Sequence, residues 1–346
     1  MKRKRVSILA FIMAFILLLY GCNKSVSPTG HIIKDPFGDD VAIPQKITGI
    51  IARVNTASYV AAMGKAELIK ATYKYMANDK WASYMFPSLS STVNLTGSPT
   101  AESFYELDAN FCIWSNRSLN ETLRSQGINA FTDKPEDMPQ TVRILADIFE
   151  SPEWAEQWIA YYNDTLNMIR DRTSQINDKK IVYYVHGAGN EGIFHTAAGG
   201  TVSEKWILEC GCEYATSGTS GFGIDITAEE LINIDPDIIV IGGIYYESME
   251  EEFYQSKALS DLKAVKGRQI FNIPVGLIPW DQYGVEYPLL CLWTAKTVYP
   301  DVFNDINLVE ETRTFYKELC GVSLTKAEVQ YMLDGKAPGG GSLLDK

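Results

Sequence analysis

TAESFYELDANFCIW at residues 100–114 and TAEELINIDPDIIVI at residues 227–241 are two versions of one segment, 127 residues apart. Each begins with a threonine that can cap a helix, has a glutamate in the first turn, where the helix dipole favours a negative charge, and ends in a buried-strand pattern. The matched residues are Thr100, Ala101, Glu102, Leu107, Asp108 and Ile113 in the first copy and Thr227, Ala228, Glu229, Ile234, Asp235 and Val240 in the second. This repeat indicates two pseudo-symmetric lobes.

Short β-rich runs alternate with helical patterns on both sides of each copy. Residues 47–54 and 111–114 are typical of strands in the first half of the chain, and residues 180–186 and 238–241 in the second half. Strands that alternate with helices favour a parallel sheet. The predicted fold class is therefore α/β, with two Rossmann-like parallel-sheet lobes at residues 31–148 and 179–333.

The segment between the lobes, residues 149–178, predicts one long rigid α-helix that joins them. Pro152 stands at a first-turn position, and no glycine interrupts residues 151–176, which would extend about 38 Å as a helix. Its apolar residues recur at helical spacing, at Trp154, Trp158, Tyr161, Tyr162, Leu166, Ile169 and Ile176. Such a brace should limit rotation of the lobes. The tail at residues 334–346 is predicted to be flexible from its glycine content.

The start of the chain predicts export. KRKR at residues 2–5 precedes a nearly continuous apolar run at residues 6–20, which is shorter than a membrane span. Leu19-Tyr20-Gly21-Cys22 resembles a lipobox, so residues 1–21 are a predicted signal peptide, Cys22 a lipidation site and residues 22–30 a tether. The protein would then be held by its N-terminal lipid at the outer face of the bacterial cytoplasmic membrane, or lie in the periplasm. A plain signal peptide with a chance cysteine is the alternative.

Charge and cysteine content argue against a nucleic-acid-binding protein and a disulfide-stabilised scaffold. The net charge of −12 becomes about −16 once the four basic residues of the signal are removed, and such a surface repels nucleic acid. Five cysteines remain, an odd number. Cys112 and Cys291 lie in apolar patterns, which favours buried thiols over a disulfide scaffold. Cys210 and Cys212 alone are a weak metal motif.

Three stretches together resemble the solute-binding proteins of iron-siderophore, haem and cobalamin importers. They are DPFGDDVAIPQKITGIIA from residue 35, the two repeat copies, and the closing run from IPVGLIPWDQYG to AEVQYML, and the similarity spans about residues 31–333. Two departures are Ala109-Asn110, where the family usually has Pro-Asp, as in Pro236-Asp237, and ECGC at residues 209–212, where Ala-Gly-Gly is common.

The resemblance implies a lipoprotein without enzymatic activity or cofactor. It would capture an iron complex, of the siderophore-chelate type, between the lobes and deliver it to an ABC permease dimer with its ATPase subunits. A corrinoid or haem is the alternative cargo, and a sensor or surface lipoprotein without a transport partner is the alternative class. In the family, one glutamate of each lobe docks to the permease, and the matching residues are Glu102 and Glu229.

Two competing motifs are weaker. GAGNEG at residues 187–192 matches GxGxxG, but the residues after it predict an extended run rather than the helix that a dinucleotide fold requires. The chain has only His31, His186 and His195, too few for direct capture of zinc or manganese, so no metal site is predicted.

The ligand is expected between the lobes, at the carboxyl ends of the parallel strands. Arginine offers a planar donor fork for anionic groups, and aromatic faces pack on flat organic ligands. Arg53 and Arg117 are expected there as guanidinium groups that lack a protein partner. The candidate ligand-binding residues are Arg53, Asn55, Tyr73, Tyr75, Trp114, Arg117, His186, Tyr245, Tyr246, Trp280 and Tyr283.

Overall fold

The computed structural model describes residues 29–77, 79–186, 192–242 and 246–343, and contains two α/β lobes. The segment that carries Cys22 lies outside these residues. An antiparallel hairpin of β1 (Thr29–Lys34) and β2 (Asp40–Pro44) opens the first lobe. No helix within the described ranges is both long and apolar enough to cross a membrane.

The first lobe contains a parallel sheet of five strands. These are β3 (Ile50–Ala52), β4 (Ile69–Thr72), β5 (Val93–Asn94), β6 (Phe111–Ile113) and β7 (Asn129–Phe131), in the order β5-β4-β3-β6-β7. Its helices are α1 (Val54–Val60), α2 (Lys80–Met85), α3 (Ala101–Glu106), α4 (Arg117–Ser125) and α5 (Met138–Ile148). The central strands are wholly buried because helices cover both faces, which explains their uninterrupted apolar sequences.

The second lobe repeats this arrangement after the connecting helix, α6 (Pro152–Thr173). Its strands are β8 (Ile181–Val185), β9 (His195–Ala197), β10 (Glu213–Tyr214), β11 (Gly223–Asp225), β12 (Ile238–Ile241) and β13 (Ile270–Asn272). Its helices are α7 (Val202–Glu209), α8 (Ala228–Ile234), α9 (Tyr246–Gln255), α10 (Lys263–Lys266), α11 (Tyr287–Val298), α12 (Leu308–Cys320) and α13 (Lys326–Leu333). The parallel sheet has the order β10-β8-β12-β13, and β9 and β11 form a separate antiparallel ribbon. In both parallel sheets the first strand along the chain is an inner strand, with the second strand on one side and a later strand on the other, so the predicted fold class is confirmed.

The repeat is visible in the backbone. Thr100 and Thr227 cap α3 and α8, and both helices end at an aspartate with positive φ, 51° at Asp108 and 46° at Asp235. Further along, Asn110 Oδ1 accepts from the Thr48 amide at 3.0 Å, and Asp237 Oδ2 accepts from the Ile181 amide at 2.9 Å. Asn110 therefore does in the first lobe what Asp237 does in the second, although the residue type differs.

The connecting helix has 22 residues, so it is about 33 Å long and ends three residues earlier than its apolar spacing predicts. It packs against α5 of the first lobe and α11 of the second. The buried indole N–H of Trp158 donates to Val285 O at 2.9 Å, and that of Trp154 donates to Leu319 O at 2.7 Å. These bonds fix the helix to the second lobe.

The end of the chain differs from the flexible tail that composition predicts. Ala337 is buried, and the Trp81 indole N–H of α2 donates to Lys336 O at 2.7 Å. Lys80 Nζ also donates to Ser342 O at 3.1 Å. Residues 334–343 are therefore held on the first lobe. The buried Trp81 indole N–H needs an acceptor, and the Lys336 carbonyl supplies it. This tertiary contact orders the segment although its glycine content predicts flexibility.

All five cysteines among the described residues are buried free thiols, as predicted for Cys112 and Cys291. Cys210 Sγ lies 3.4 Å from the Cys291 carbonyl oxygen, so it packs α7 against α11.

Candidate functional site

Several polar residues lie at the carboxyl ends of the two parallel sheets. Arg53 follows β3, and Ser115 and Asp133 lie just beyond β6 and β7. In the second lobe His186 follows β8 and Gly242 follows β12. Binding sites of open parallel sheets form at this edge because the loops there are free of the packing that holds the strands.

The first lobe brings four polar side chains together around Asp133. The buried Asp133 carboxylate accepts from Ser115 Oγ at 2.8 Å and from Asn55 Nδ2 at 3.3 Å. Arg53 Nη1 donates to the same Ser115 Oγ at 3.2 Å. Burial raises the pKa of Asp133, and the Ser115 hydroxyl, Arg53 and Asn55 act against that rise.

Two buried atoms of this cluster face no hydrogen-bond partner in the described part of the chain. They are Arg53 Nε, a cationic donor, and Asn55 Oδ1, an amide acceptor. Leaving a buried donor or acceptor unpaired costs about 1–3 kcal/mol, and more for a charged group. A ligand acceptor at Arg53 Nε and a ligand donor at Asn55 Oδ1 would remove that cost, so both atoms are candidates for ligand contact.

The second lobe contributes a cluster centred on Asp281. Tyr184 Oη donates to Asp281 Oδ2 at 2.8 Å, and both residues are buried. Gly242 lies against this pair, because a Cβ there would come within 2.3 Å of Asp281 Oδ2. Asp281 thus needs a glycine at the end of β12.

His186 forms an aromatic group with Tyr184, His195 and Phe222. Its ring centroid lies 6.0, 5.5 and 6.1 Å from theirs, and its buried Nδ1 has no partner among the described residues. Burial lowers the pKa of His186, and Asp281 acts in the opposite direction. The imidazole is therefore neutral at pH 7 and can offer a lone pair to a ligand.

The β9–β11 ribbon carries the outer part of this aromatic group. His195 Nδ1 lies 2.5 Å from Asp225 Oδ1 across the ribbon, and the His186 amide donates to His195 O at 3.0 Å. Phe222, just before β11, is 75% exposed although it contacts His186. An exposed phenylalanine beside a half-buried histidine is suited to the face of an organic ligand.

Several predicted ligand-binding residues pack against the lobe cores. Tyr73 and Trp114 form a ring pair 5.4 Å apart on the smaller core of the first lobe. Tyr75 is half-buried against the main core, and Trp280 is fully buried in it. Trp280, which was expected to line the cleft, exposes no surface to solvent in this structure.

Arg117 was expected to have no protein partner, but its guanidinium is paired with Asp39. Its Nε and Nη2 donate to the two carboxylate oxygens of Asp39 at 2.8 and 2.7 Å, and the side chain is half exposed. Asp39 lies in the turn between β1 and β2, 78 residues earlier in the chain. The fork that was expected to bind a ligand therefore holds the hairpin on α4.

The remaining predicted residues are placed as follows. Tyr283 is half-buried with φ 57°, and its hydroxyl lies 2.7 Å from Ser203 Oγ. Tyr246 is the first residue of α9, and Tyr245 and the residues 187–191 of the GxGxxG match lie outside the described ranges. The sequence did not point to Ser115, Asp133, Tyr184, Phe222 or Asp281. Of these, Ser115 and Asp133 could have been found, because they stand just after predicted strands.

The two lobes touch at the base of the cleft through residues 284–285. Tyr59 Oη donates to Gly284 O at 3.2 Å, and the Val285 amide donates to Ser58 Oγ at 3.0 Å. Higher up, Lys205 Nζ of α7 donates to Glu136 O of the first lobe at 3.1 Å. These hydrogen bonds join the two lobes directly.

Glu102 and Glu229 lie on a different surface, in the first turns of α3 and α8, and both are exposed. The capping boxes of these helices are made by the next residues, Ser103 and Glu230. The side chains of Glu102 and Glu229 are thus left outside the capping boxes.

In the described residues, no cluster of three or more His, Cys, Asp or Glu could hold a metal ion. Two parallel α/β sheets, each with its first strand inside, and one bracing helix are the architecture of a helix-linked, two-lobed solute-binding protein. The profile of the family described as "Periplasmic binding protein" matches residues 101–275, and the chain belongs to that family. The prediction of a binding protein rather than an enzyme, whose bound small molecule is cargo and not a cofactor, is confirmed by this membership.

A curated relative is the molybdate-binding protein MolA of Haemophilus influenzae, which is 20% identical over 202 residues; the match covers 58% of this chain and 55% of that protein. The chain thus aligns with about half the length of this relative. A solved periplasmic solute-binding protein from Veillonella parvula is similar with a TM-score of 0.76 and 24% identity, over 89% of this chain and 98% of that one. Helicobacter pylori CeuE with Ni(II) bound has a TM-score of 0.72 and 19% identity, over 88% and 99% of the two chains.

Proposed function

We propose that this protein is the extracytoplasmic substrate-binding component of an ABC importer, which captures a siderophore-type iron complex between its lobes and delivers it to a permease. One observation carries the proposal. Buried polar atoms without partners in the described structure, Arg53 Nε and Asn55 Oδ1 in one lobe and His186 Nδ1 in the other, belong to residues at or just after the carboxyl ends of β3 and β8. A ligand that satisfies both sets must bridge the lobes.

The chemistry of the two sides favours a partly anionic organic complex. Arg53 can donate to an oxyanion or a carboxylate, while the rings of His186 and Phe222 can pack on a flat organic face. A corrinoid or haem offers a flat face as well and stays the alternative within the class.

A small oxyanion is the second candidate, and its support comes from the first lobe. The guanidinium of Arg53, whose buried Nε has no partner among the described residues, is the donor that an oxyanion would meet there. The relative named for molybdate binding points the same way. This ligand would leave the exposed ring of Phe222 without a role.

Native purification followed by mass spectrometry identifies the cargo directly. The protein is then titrated with the ferric complex found, or with a ferric tris-catecholate, and separately with molybdate, with tryptophan fluorescence as the readout. We expect the ferric complex to bind at least tenfold more tightly than molybdate. Tighter binding of molybdate would replace the iron assignment, and binding of neither would overturn the cleft site.

Arg53→Ala and Arg117→Ala form a matched pair for that titration, since each removes one guanidinium from the start of a helix on the same lobe. Loss of a charge-assisted hydrogen bond worth about 1.5–3 kcal/mol should weaken binding in Arg53→Ala by about tenfold or more. Arg117→Ala should keep full affinity because its guanidinium is engaged by Asp39. Equal losses in both variants would mean that general surface charge, and not the cleft, attracts the ligand.

A further inference from the structure

Each helix of the repeat exposes one large apolar side chain at the same position. Tyr105 in α3 is 57% exposed and Ile232 in α8 is 44% exposed, and the two are separated by the repeat offset of 127 residues. The preceding residues, Phe104 and Leu231, are buried, so each helix already packs one apolar side chain into its lobe. Tyr105 and Ile232 thus present apolar surface to solvent in addition to the residue that each helix buries.

The exposed apolar residues share a helix face with the two glutamates. Tyr105 follows Glu102 by three residues, and Ile232 follows Glu229 by three, a spacing that places side chains next to each other on a helix. Single exposed apolar residues are common on protein surfaces and require no explanation. Here the same combination of carboxylate and apolar side chain occurs once on each lobe. We call Glu102, Tyr105, Glu229 and Ile232 the repeat face.

We infer that Tyr105 and Ile232 are equivalent apolar anchors, and that each binds an apolar pocket beside a basic side chain on a two-fold symmetric membrane partner. The inference rests on the proposed importer function and adds to it the residues that supply binding energy. Two like patches on one chain match a partner that presents two like patches. Exposed carboxylates at a rim steer the encounter and set orientation, whereas buried apolar or aromatic anchors carry most of the affinity.

Site-specific photo-crosslinking in the native host tests this placement. The full chain carries p-benzoylphenylalanine at position 102, 105, 229 or 232, or at position 208 as the control. Leu208 in α7 is 49% exposed but lies outside the repeat face. We expect positions 105 and 232 to crosslink to one polytopic membrane protein, identified by mass spectrometry as a permease subunit, and position 208 to give no such product.

The identified permease is then reconstituted with its ATPase subunits, and docking of variant binding proteins to it measures the contribution of the anchors. Tyr105→Ala with Ile232→Ala should weaken docking at least tenfold and leave ligand affinity unchanged, while Ile232→Leu and Leu208→Ala should dock normally. Crosslinks only from positions 102 and 229, or normal docking by the double variant, would refute the anchors and leave the importer function standing. Crosslinks to a second copy of this chain would also refute them. A permease crosslink from none of the four positions would overturn both the anchors and the proposed function.

Discussion

Glu286 is a buried carboxyl group, and its replacement by glutamine is expected to stabilise the protein at alkaline pH. The residue directly precedes α11 and is completely inaccessible to solvent. Oε1 accepts from the Leu277 amide at 2.6 Å and from Tyr316 Oη at 2.8 Å, while Oε2 has no partner in the described part of the chain. Burial raises the pKa of Glu286 to about 7, against the opposing effect of these hydrogen bonds.

The direction of the pH effect follows from the two protonation states. Because the folded pKa of Glu286 lies above its ordinary value of 4.5, the folded protein disfavours the charged carboxylate. The stabilising contribution is therefore complete below pH 4.5 and is lost as the pH rises through about 7. With about 1.36 kcal/mol for each pKa unit, the total loss is about 3.4 kcal/mol, of which about 2.5 kcal/mol falls between pH 5 and pH 8.

Glu286→Gln removes this titration while its amide oxygen can still accept from Leu277 and Tyr316. Relative to the wild type, the variant should therefore gain about 2.5 kcal/mol between pH 5 and pH 8. With an unfolding entropy of about 2.1 cal/mol/K for each of roughly 310 residues, this corresponds to about 4 °C in Tm. Thermal denaturation followed by circular dichroism at pH 5 and pH 8 measures this change in Tm, with Glu106→Gln at an exposed position as the control. A Tm difference between Glu286→Gln and wild type that stays the same from pH 5 to pH 8 would refute the reasoning.

Three further outcomes are expected. Cys22→Ala should release the protein from membranes without unfolding it, and a variant that resists salt and carbonate washing would contradict the lipid anchor. Gly284→Ala should destabilise the protein by about 1–3 kcal/mol, because its methyl group would lie 2.3 Å from Ser58 Oγ at the lobe contact; Gly97→Ala, with open space around its Cβ, is the control in thermal denaturation. Small-angle scattering should show little change in radius of gyration on ligand binding, since α6 braces both lobes, and a large change would disprove the brace.

Local patterns were sufficient to predict the architecture. Thr100 and Thr227 cap helices as predicted, and the strands that follow are parallel and buried. These features depend on residues within one helix or strand, where capping and periodicity act directly. The positive φ of Asp108 and Asp235 was not predicted, yet it occurs at matched positions of the repeat.

Contacts between distant segments could not be predicted in the same way. Arg117 is paired with a carboxylate 78 residues away, and Trp81 bonds to a carbonyl 255 residues further along the chain. Nothing near either residue in sequence indicates these partners. The burial of Trp280 could not be predicted from local sequence either, because an aromatic residue in a loop can pack into the core or face the cleft.

The two copies of the repeat are alike on the proposed docking surface and differ at the proposed ligand site. The matched positions 102 and 229 keep a glutamate, and positions 105 and 232 both expose an apolar side chain. The residues that follow the matched strands differ instead, with Trp114 and Ser115 in the first lobe and Gly242 in the second. A ligand without two-fold symmetry needs different groups on its two sides, whereas a two-fold permease needs the same groups twice. The likeness of the two lobes at α3 and α8, and their difference at the strand ends, therefore agree with the proposed docking and ligand-binding roles.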